Sequence, residues 1–134
     1  MKTSQPASIL LVDDQEQMLT VMMRMLGKVG HAVTPCASGQ DALDVIEDPD
    51  RTIDLLVTDI LMPHMDGLEL ARRAREVRPD LPILFVSAYQ EYQFDVVPFG
   101  EKLLEKPFSM RTLIDTVEAR LEKARQECAD VDED

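Results

Sequence analysis

A short apolar run, Ile9-Leu10-Leu11-Val12, ends in two aspartates, Asp13 and Asp14. A second run, Leu55-Leu56-Val57-Thr58, ends in a third, Asp59, and a lone lysine, Lys106, follows Leu103-Leu104-Glu105. A charge at the end of a buried strand costs solvation energy unless something pairs with it. Carboxylates that meet at one point repel unless a cation or a proton sits between them. A hard divalent cation with a lysine nearby resolves both problems, and such a site is built to hold a phosphoryl group. One Asp after a strand is often only a helix N-cap, and Asp14 alone would fit that role ahead of a helix starting near Gln15. A pair after one run, a third carboxylate after another and a lysine after a further run are much harder to explain as caps.

The elements that must carry these groups show in the apolar pattern. Ile9–Val12 fits a strand buried on both faces, as in a parallel sheet. Gln15 to Val29, with Met18, Leu19, Met22, Met23, Met25 and Leu26, has the spacing of a helix with a broad apolar face, ended by Gly30. Its methionines are read as core packing. A strand over His31–Cys36 follows, then a helix capped by Ser38, with Asp41 three residues on and Ala42, Leu43, Val45 and Ile46 along one face. Asp48-Pro49-Asp50 breaks it. Ile53–Thr58 is the third strand, Met62–Gly67 a loop, Leu68–Val77 a helix stopped before Pro79, and Ile83–Val86 the fourth strand. Leu103–Leu104 is the core of a fifth strand, and Ser109 caps a last helix carrying Leu113, Ile114, Val117 and Leu121.

Strand and helix thus alternate, which predicts a doubly wound α/β sheet in a single domain with no internal repeat. Ligands of such sheets bind outside the carboxyl ends of the strands, where strand order reverses. If the first and third strands are neighbours there, the three carboxylates converge. Mg²⁺ suits them, because it takes oxygen ligands, keeps several waters and bridges to phosphate.

The chain has 134 residues, 45% of them hydrophobic, and a formal charge of −12. That size fits one domain with one core. The charge excludes nucleic acid as a direct partner, because phosphate backbones would be repelled. Residues 126–134 carry Glu127, Asp130, Asp132, Glu133 and Asp134 without Lys or Arg, and are expected to form a solvated, disordered tail beyond a domain spanning 1–125. Cys36 and Cys128 are too few and too far apart for a disulfide framework or a metal cluster. Cys36 is expected to be a small packed residue and Cys128 to lie in the tail. Met1 to Ser8 lack the apolar stretch of a signal peptide, and the apolar runs are far short of the roughly 20 residues of a membrane span. A cytoplasmic protein without membrane contact is the expectation.

Asp13-Asp14, then Asp59-Ile60-Leu61-Met62-Pro63-His64-Met65-Asp66-Gly67, Ser87-Ala88 and Lys106-Pro107-Phe108 resemble, in order, the receiver domain of two-component response regulators. The similarity runs from about Ile9 to Leu121. It implies a flavodoxin-like five-stranded parallel sheet, order 2-1-3-4-5, flanked by five helices. Asp59 would be the phosphoacceptor, taking a phosphoryl group from a histidine kinase or a histidine phosphotransfer protein. Asp14, Asp59 and the backbone carbonyl of Leu61 would hold Mg²⁺ (or Mn²⁺) directly, and Asp13 would act through a bound water. Lys106 and Ser87 would contact the phosphoryl oxygens, and Pro107 would be cis. The chain would be no enzyme on external substrates, catalysing only its own phosphotransfer and dephosphorylation. With no output domain after the last helix, it is expected to signal by contact with a downstream protein through the fourth-helix region, strand five and the last helix. The oligomeric state is not legible.

The chain departs from the usual family pattern in two respects, and two further positions bear on the lifetime of the phosphoryl group. The segment between Ser87 and Lys106 is short and contains Pro98, so the fourth helix is expected to be short, distorted or missing. Leu103 stands where many receivers carry an aromatic that swings on phosphorylation; Tyr89, Tyr92, Phe94 or Phe99 would have to substitute. Leu61 and Tyr89, bulky and unable to orient a water, would flank the phosphoryl group and slow its loss. His64 is expected to be exposed and uninvolved, and His31 to start a strand without a ligand role. The shortened form is similar to receivers of hybrid histidine kinases and of some stand-alone regulators, and both origins stay open.

Other readings make distinguishable demands. A magnesium phosphatase of the haloacid dehalogenase type needs a second Asp two residues after its nucleophile, where this chain has Leu61. A flavodoxin-like FMN carrier needs a first loop that cradles phosphate, which Asp13 and Asp14 would repel. A receiver-like scaffold that is never phosphorylated would have no need of the full acidic set and lysine.

Overall fold

The computed structural model describes residues 5–132. Among the described residues, five strands alternate with five α-helices: β1 (Ser8–Val12), α1 (Glu16–Lys28), β2 (Ala32–Cys36), α2 (Gly39–Ile46), β3 (Leu55–Asp59), α3 (Gly67–Val77), β4 (Ile83–Ser87), α4 (Gln93–Val96), β5 (Leu103–Glu105) and α5 (Met110–Asp132). The strands are parallel and ordered β2-β1-β3-β4-β5. The doubly wound sheet read from the apolar pattern is therefore the observed one. No helix of the described residues is long and apolar enough to cross a membrane.

Period-two alternation divides the strand side chains between two layers. Leu10, Val12, Leu56, Ile83 and Phe85 pack beneath α2 and α3, with Ala42, Ile46, Leu70 and Ala74. Ile9, Leu11, Leu55, Val57, Leu84 and Val86 face the other way, against Met22 and Leu26 of α1 and Leu113, Val117 and Leu121 of α5. Both faces of the central strands are covered, which explains why their sequences are continuously apolar. The methionines of α1 belong to this packing, and Cys36 is a buried core residue.

The helix ends follow local chemistry. Gly30, at φ 103°, ends α1. Its N–H bonds the Gly27 carbonyl and that of His31 bonds the Leu26 carbonyl, at 3.0 and 3.3 Å. This is a Schellman ending, and the left-handed residue it requires favours glycine. Ser38 caps α2 by accepting from the Asp41 N–H at 3.1 Å.

Between β4 and β5 the chain makes one 3₁₀ turn (Gln90–Tyr92), the single turn of α4, and a second 3₁₀ turn (Val97–Phe99). The fourth helix is short and broken, as Pro98 led us to expect. At the other end, α5 runs on to Asp132 where a disordered tail from residue 126 was expected. Residues 125–130 hold no glycine or proline, so nothing in the local sequence stops the helix. The Gln126 amide also reaches back to Glu122 Oε1 at 3.5 Å. Residues 1–4, Glu133, Asp134 and the side chain of Cys128 lie outside the described residues.

Candidate functional site

Strand register brings the charged residues to one edge. Val12 pairs with Thr58, Asp59 with Val86, and Ser87 with Glu105. Asp13 is therefore level with Asp59, Ser87 lies one residue beyond the partner of Asp59, and Lys106 one residue beyond the partner of Ser87. The ladders continue past the strand ends through Asp13 N–H to the Cys36 carbonyl, Ile60 N–H to Val86 and Lys106 N–H to Ser87, at 3.1, 3.0 and 2.8 Å.

One oxygen from each of Asp13, Asp14 and Asp59 lies within 4.8 Å of the others. Lys106 Nζ reaches Asp13 Oδ2 at 3.1 Å and Asp59 Oδ2 at 3.4 Å. Asp59 Oδ1 accepts from the Ile60 N–H at 2.9 Å, and Asp13 Oδ1 from the Gln15 N–H at 2.8 Å. Asp13 and Asp59 are buried, whereas Asp14 is exposed. The capping role open to Asp14 is not taken: Gln15 is the N-cap of α1, without a side-chain cap bond, and Asp13 supplies the carboxylate that enters this turn. Burial holds the Asp59 carboxyl above the usual carboxylate range; Lys106 opposes this, and the Asp13 charge adds to it. One ammonium thus faces three carboxylates. The donor set is all oxygen and its charge is under-compensated, so a hard dication such as Mg²⁺ or Mn²⁺ fits it.

The surrounding groups are also placed. The Lys106-Pro107 peptide is cis. Ser87 is buried and its Oγ accepts from the Tyr89 N–H at 3.0 Å. Leu61 and Tyr89 stand exposed, each two residues beyond a strand-end group of the site. Leu103 is half-buried against the α3-side core, and Phe99 packs on Phe85 with ring centroids 5.3 Å apart. Tyr89 and Tyr92 meet edge to face at 6.4 Å.

The loop after Asp59 is closed by the Gly67 N–H on the Ile60 carbonyl at 2.8 Å. Asp66 then caps α3, accepting from the Glu69 N–H at 2.8 Å. Met62 is buried and Met65 half-buried, so both pack as expected. His64 is exposed at φ 70°, and Met65 N–H bonds the Pro63 carbonyl across it at 2.8 Å. This is a γ-turn, a strained conformation that the loop closure imposes.

Two buried polar clusters were not foreseen. His31 does not start a strand; it lies just before β2 with Nδ1 accepting from the Ala7 N–H and Nε2 2.8 Å from Glu118 Oε1. Glu101 is buried between Arg75 and Arg120, at 2.6 Å from each, and also accepts from the Ile83 N–H. Their partners lie 18 to 87 residues away in sequence, beyond the reach of local patterns.

A doubly wound sheet with an acidic cluster and a lysine at its switch point defines a phosphoryl-binding class of domain. The chain matches the response regulator receiver domain over residues 9–118, and it belongs to that family. It is 38% identical over 116 residues to the response regulator receiver protein CpdR of Brucella abortus, covering 84% of this chain and 95% of that one. It is 39% identical over 120 residues to the sensor kinase CckA of the same organism, covering 87% of this chain but only 13% of the kinase. A solved response regulator receiver protein from Sinorhizobium medicae superposes with a TM-score of 0.79 at 34% identity, covering 91% of this chain and 99% of that one. The chain is a receiver of two-component phosphorelay signalling, and the phosphatase and flavin-carrier readings fall away.

Proposed function

We propose that Asp59 is the residue this receiver phosphorylates. The observation that carries this reading is the placement of its carboxylate. One oxygen is held by the Ile60 amide, and the other faces Lys106 beside Asp13 and Asp14. A carboxylate oxygen of Asp59 attacks the phosphorus of a phosphohistidine on a histidine kinase or phosphotransfer protein. The new O–P bond forms as the N–P bond breaks, and the departing imidazole takes up a proton.

Asp14, Asp59 and the Leu61 carbonyl would hold Mg²⁺ or Mn²⁺, with Asp13 acting through a water. Among the described residues nothing donates a hydrogen bond to the Leu61 carbonyl, which leaves it open as a ligand. The bound ion supplies charge neutralisation as an anionic phosphoryl group meets an anionic nucleophile. Lys106 exchanges its contact with Asp59 for a phosphoryl oxygen while keeping Asp13. The Ser87 hydroxyl accepts from Tyr89 but donates to nothing among the described residues, so its hydrogen is available to a phosphoryl oxygen. Leu61 flanks the adduct with apolar bulk and presents no group to align an attacking water, and the ring of Tyr89 adds bulk on the other side, which makes the acyl phosphate long-lived.

The chain acts on itself alone, accepting and losing phosphate, and its output is contact with a downstream protein. Treatment with acetyl phosphate and Mg²⁺ should give a hydroxylamine-sensitive phosphoryl adduct by intact-mass spectrometry, absent in Asp59→Asn. An unmodified wild type with a competent donor, or an adduct that survives in Asp59→Asn, refutes the assignment.

A further inference from the structure

Thr58 is a buried polar residue with no part in the chemistry above. It lies in β3 level with Val12 and Phe85, and strand alternation turns it to the same side as Leu56, beneath α2 and α3. Valine would fill this place with apolar atoms alone. A hydroxyl here costs desolvation unless it is bonded. It is bonded: Thr58 Oγ1 donates to the backbone carbonyl of Asp59 at 2.9 Å. Among the described residues no loop or turn amide reaches that carbonyl.

The same peptide unit holds the nucleophile by its other end. The Ile60 N–H is shared between Asp59 Oδ1 at 2.9 Å and the Val86 carbonyl at 3.0 Å. Carbonyl and N–H of one trans peptide lie in a plane and point in opposite directions. A tilt at the carbonyl therefore moves the N–H between its two acceptors. The Val86 carbonyl is fixed in the sheet, whereas Oδ1 sits on a side chain that can rotate. With Oδ1 held by the amide, Oδ2 is the oxygen directed at Lys106, 3.4 Å away. Gly67, at the start of α3, lies against the same carbonyl, which is thus confined as well as bonded.

We propose that Thr58 is a positioning residue for phosphoryl transfer to Asp59. Its hydroxyl sets the tilt of the Asp59–Ile60 peptide, and the peptide N–H in turn fixes the carboxylate with Oδ2 toward Lys106. Thr58 touches no substrate and acts through the backbone; no bond is made or broken at its hydroxyl. The proposal rests on the reading of Asp59 as the phosphoacceptor and adds how that side chain is aimed.

The test uses the full chain with two substitutions. Thr58→Val keeps the shape and deletes the hydroxyl, and Thr58→Ser keeps the hydroxyl and deletes the methyl. Phosphorylation by acetyl phosphate at a fixed Mg²⁺ concentration is followed by intact-mass spectrometry. A carboxylate misaimed by a fraction of an ångström should lose about tenfold in rate, less than the roughly 100-fold of a 1 Å displacement. Thr58→Val should show that loss, and Thr58→Ser should recover most of the wild-type rate. The Ile60 amide gives a readout specific to its hydrogen bond. Its proton resonance should move upfield in Thr58→Val, as the bond to Oδ1 lengthens, and should stay in place in Thr58→Ser. Circular dichroism verifies folding. Should Thr58→Val not fold, Thr58→Ala against Thr58→Ser makes the same comparison, since these two differ by the hydroxyl alone.

A Thr58→Val protein that takes phosphate at the wild-type rate overturns the proposal. A slowed Thr58→Val whose Ile60 amide has not moved, or a Thr58→Ser as slow as Thr58→Val, overturns it in favour of simple packing. The same samples separate the two readings. A wild type that is labelled no faster than Thr58→Val defeats the positioning role alone. A wild type that never takes phosphate defeats the phosphoacceptor, and the Ile60 resonance then decides by itself whether the hydroxyl aims the carboxylate.

Discussion

A Cβ placed on Gly67 would stand 2.1 Å from the carbonyl oxygen of Asp59 and 2.9 Å from the Cα of Ile60. The first turn of α3 therefore lies directly on the strand end that presents the proposed nucleophile. Neither side can retreat cheaply. β3 is paired on both edges, and the Gly67 N–H is itself bonded to the Ile60 carbonyl. Gly67→Ala should cost about 1–3 kcal/mol in urea unfolding, the range for overpacking, and should weaken beryllofluoride binding in the presence of Mg²⁺. Wild-type values for both would show that the contact is dispensable.

The raised Asp59 carboxyl makes a prediction about pH. Its folded pKa lies above its unfolded value because burial disfavours the charge. The folded state therefore holds the proton more tightly, so the group's contribution is present at low pH and lost as pH rises through the folded pKa. At neutral pH, without metal, ionised Asp59 weakens the fold. Asp59→Asn should raise the Tm of metal-free protein at neutral pH, and the gain should shrink as pH falls through the carboxylate range. Mg²⁺ should raise the wild-type Tm by binding the native state and should do much less for the variant. A variant less stable than wild type at neutral pH would contradict the electrostatic account.

How far the sequence alone reaches depends on the range of each interaction. Asp13, Asp59 and Lys106 were legible because strand ends are marked by apolar runs, and parallel register carries those ends to one edge; Ser87 came only from the family resemblance. The broken fourth helix was legible from Pro98 and a short spacing. The clash at Gly67 was not, because it depends on how closely α3 crosses the end of β3, although the glycine itself belongs to the motif. His31 and Glu101 were opaque for a different reason. Each is a single polar residue whose partners come from other elements, and no periodicity announces such a meeting. The reach of α5 past Arg125 follows from the absence of any helix breaker there, which an acidic composition does not display.

Glu101 gives the sharpest stability prediction. Its carboxylate satisfies two guanidinium groups and the Ile83 amide at once, and Arg75 in turn donates to the carbonyls of Leu81 and Phe99. The cluster ties α3, α5 and the chain leaving the last 3₁₀ turn to the start of β4. Glu101→Ala removes the counter-ion from two partly buried cations and should cost about 3–5 kcal/mol. Glu101→Gln, which keeps the shape and an amide oxygen, should fall between that variant and wild type. Urea midpoints measure both, and a loss below about 1 kcal/mol for the alanine variant would mean that water replaces the carboxylate freely.

Leu61 should set how long the proposed phosphorylated state persists. It is 47% exposed two residues beyond Asp59, and Tyr89 is 51% exposed two residues beyond Ser87, so both can shield an adduct without being locked into the core. Loss of phosphate requires a water in line with the O–P bond, and an apolar side chain offers that water neither a hydrogen bond nor orientation. Leu61→Asn supplies an amide that can do both. It should speed decay of the acyl phosphate several-fold with little change in unfolding midpoint, because the replaced side chain packs mainly against solvent. The decay is followed by intact-mass spectrometry after removal of acetyl phosphate. Tyr89→Ala should speed it by a smaller factor, by opening the site without orienting the water. Unchanged or slower decay in Leu61→Asn would remove Leu61 from any role in lifetime.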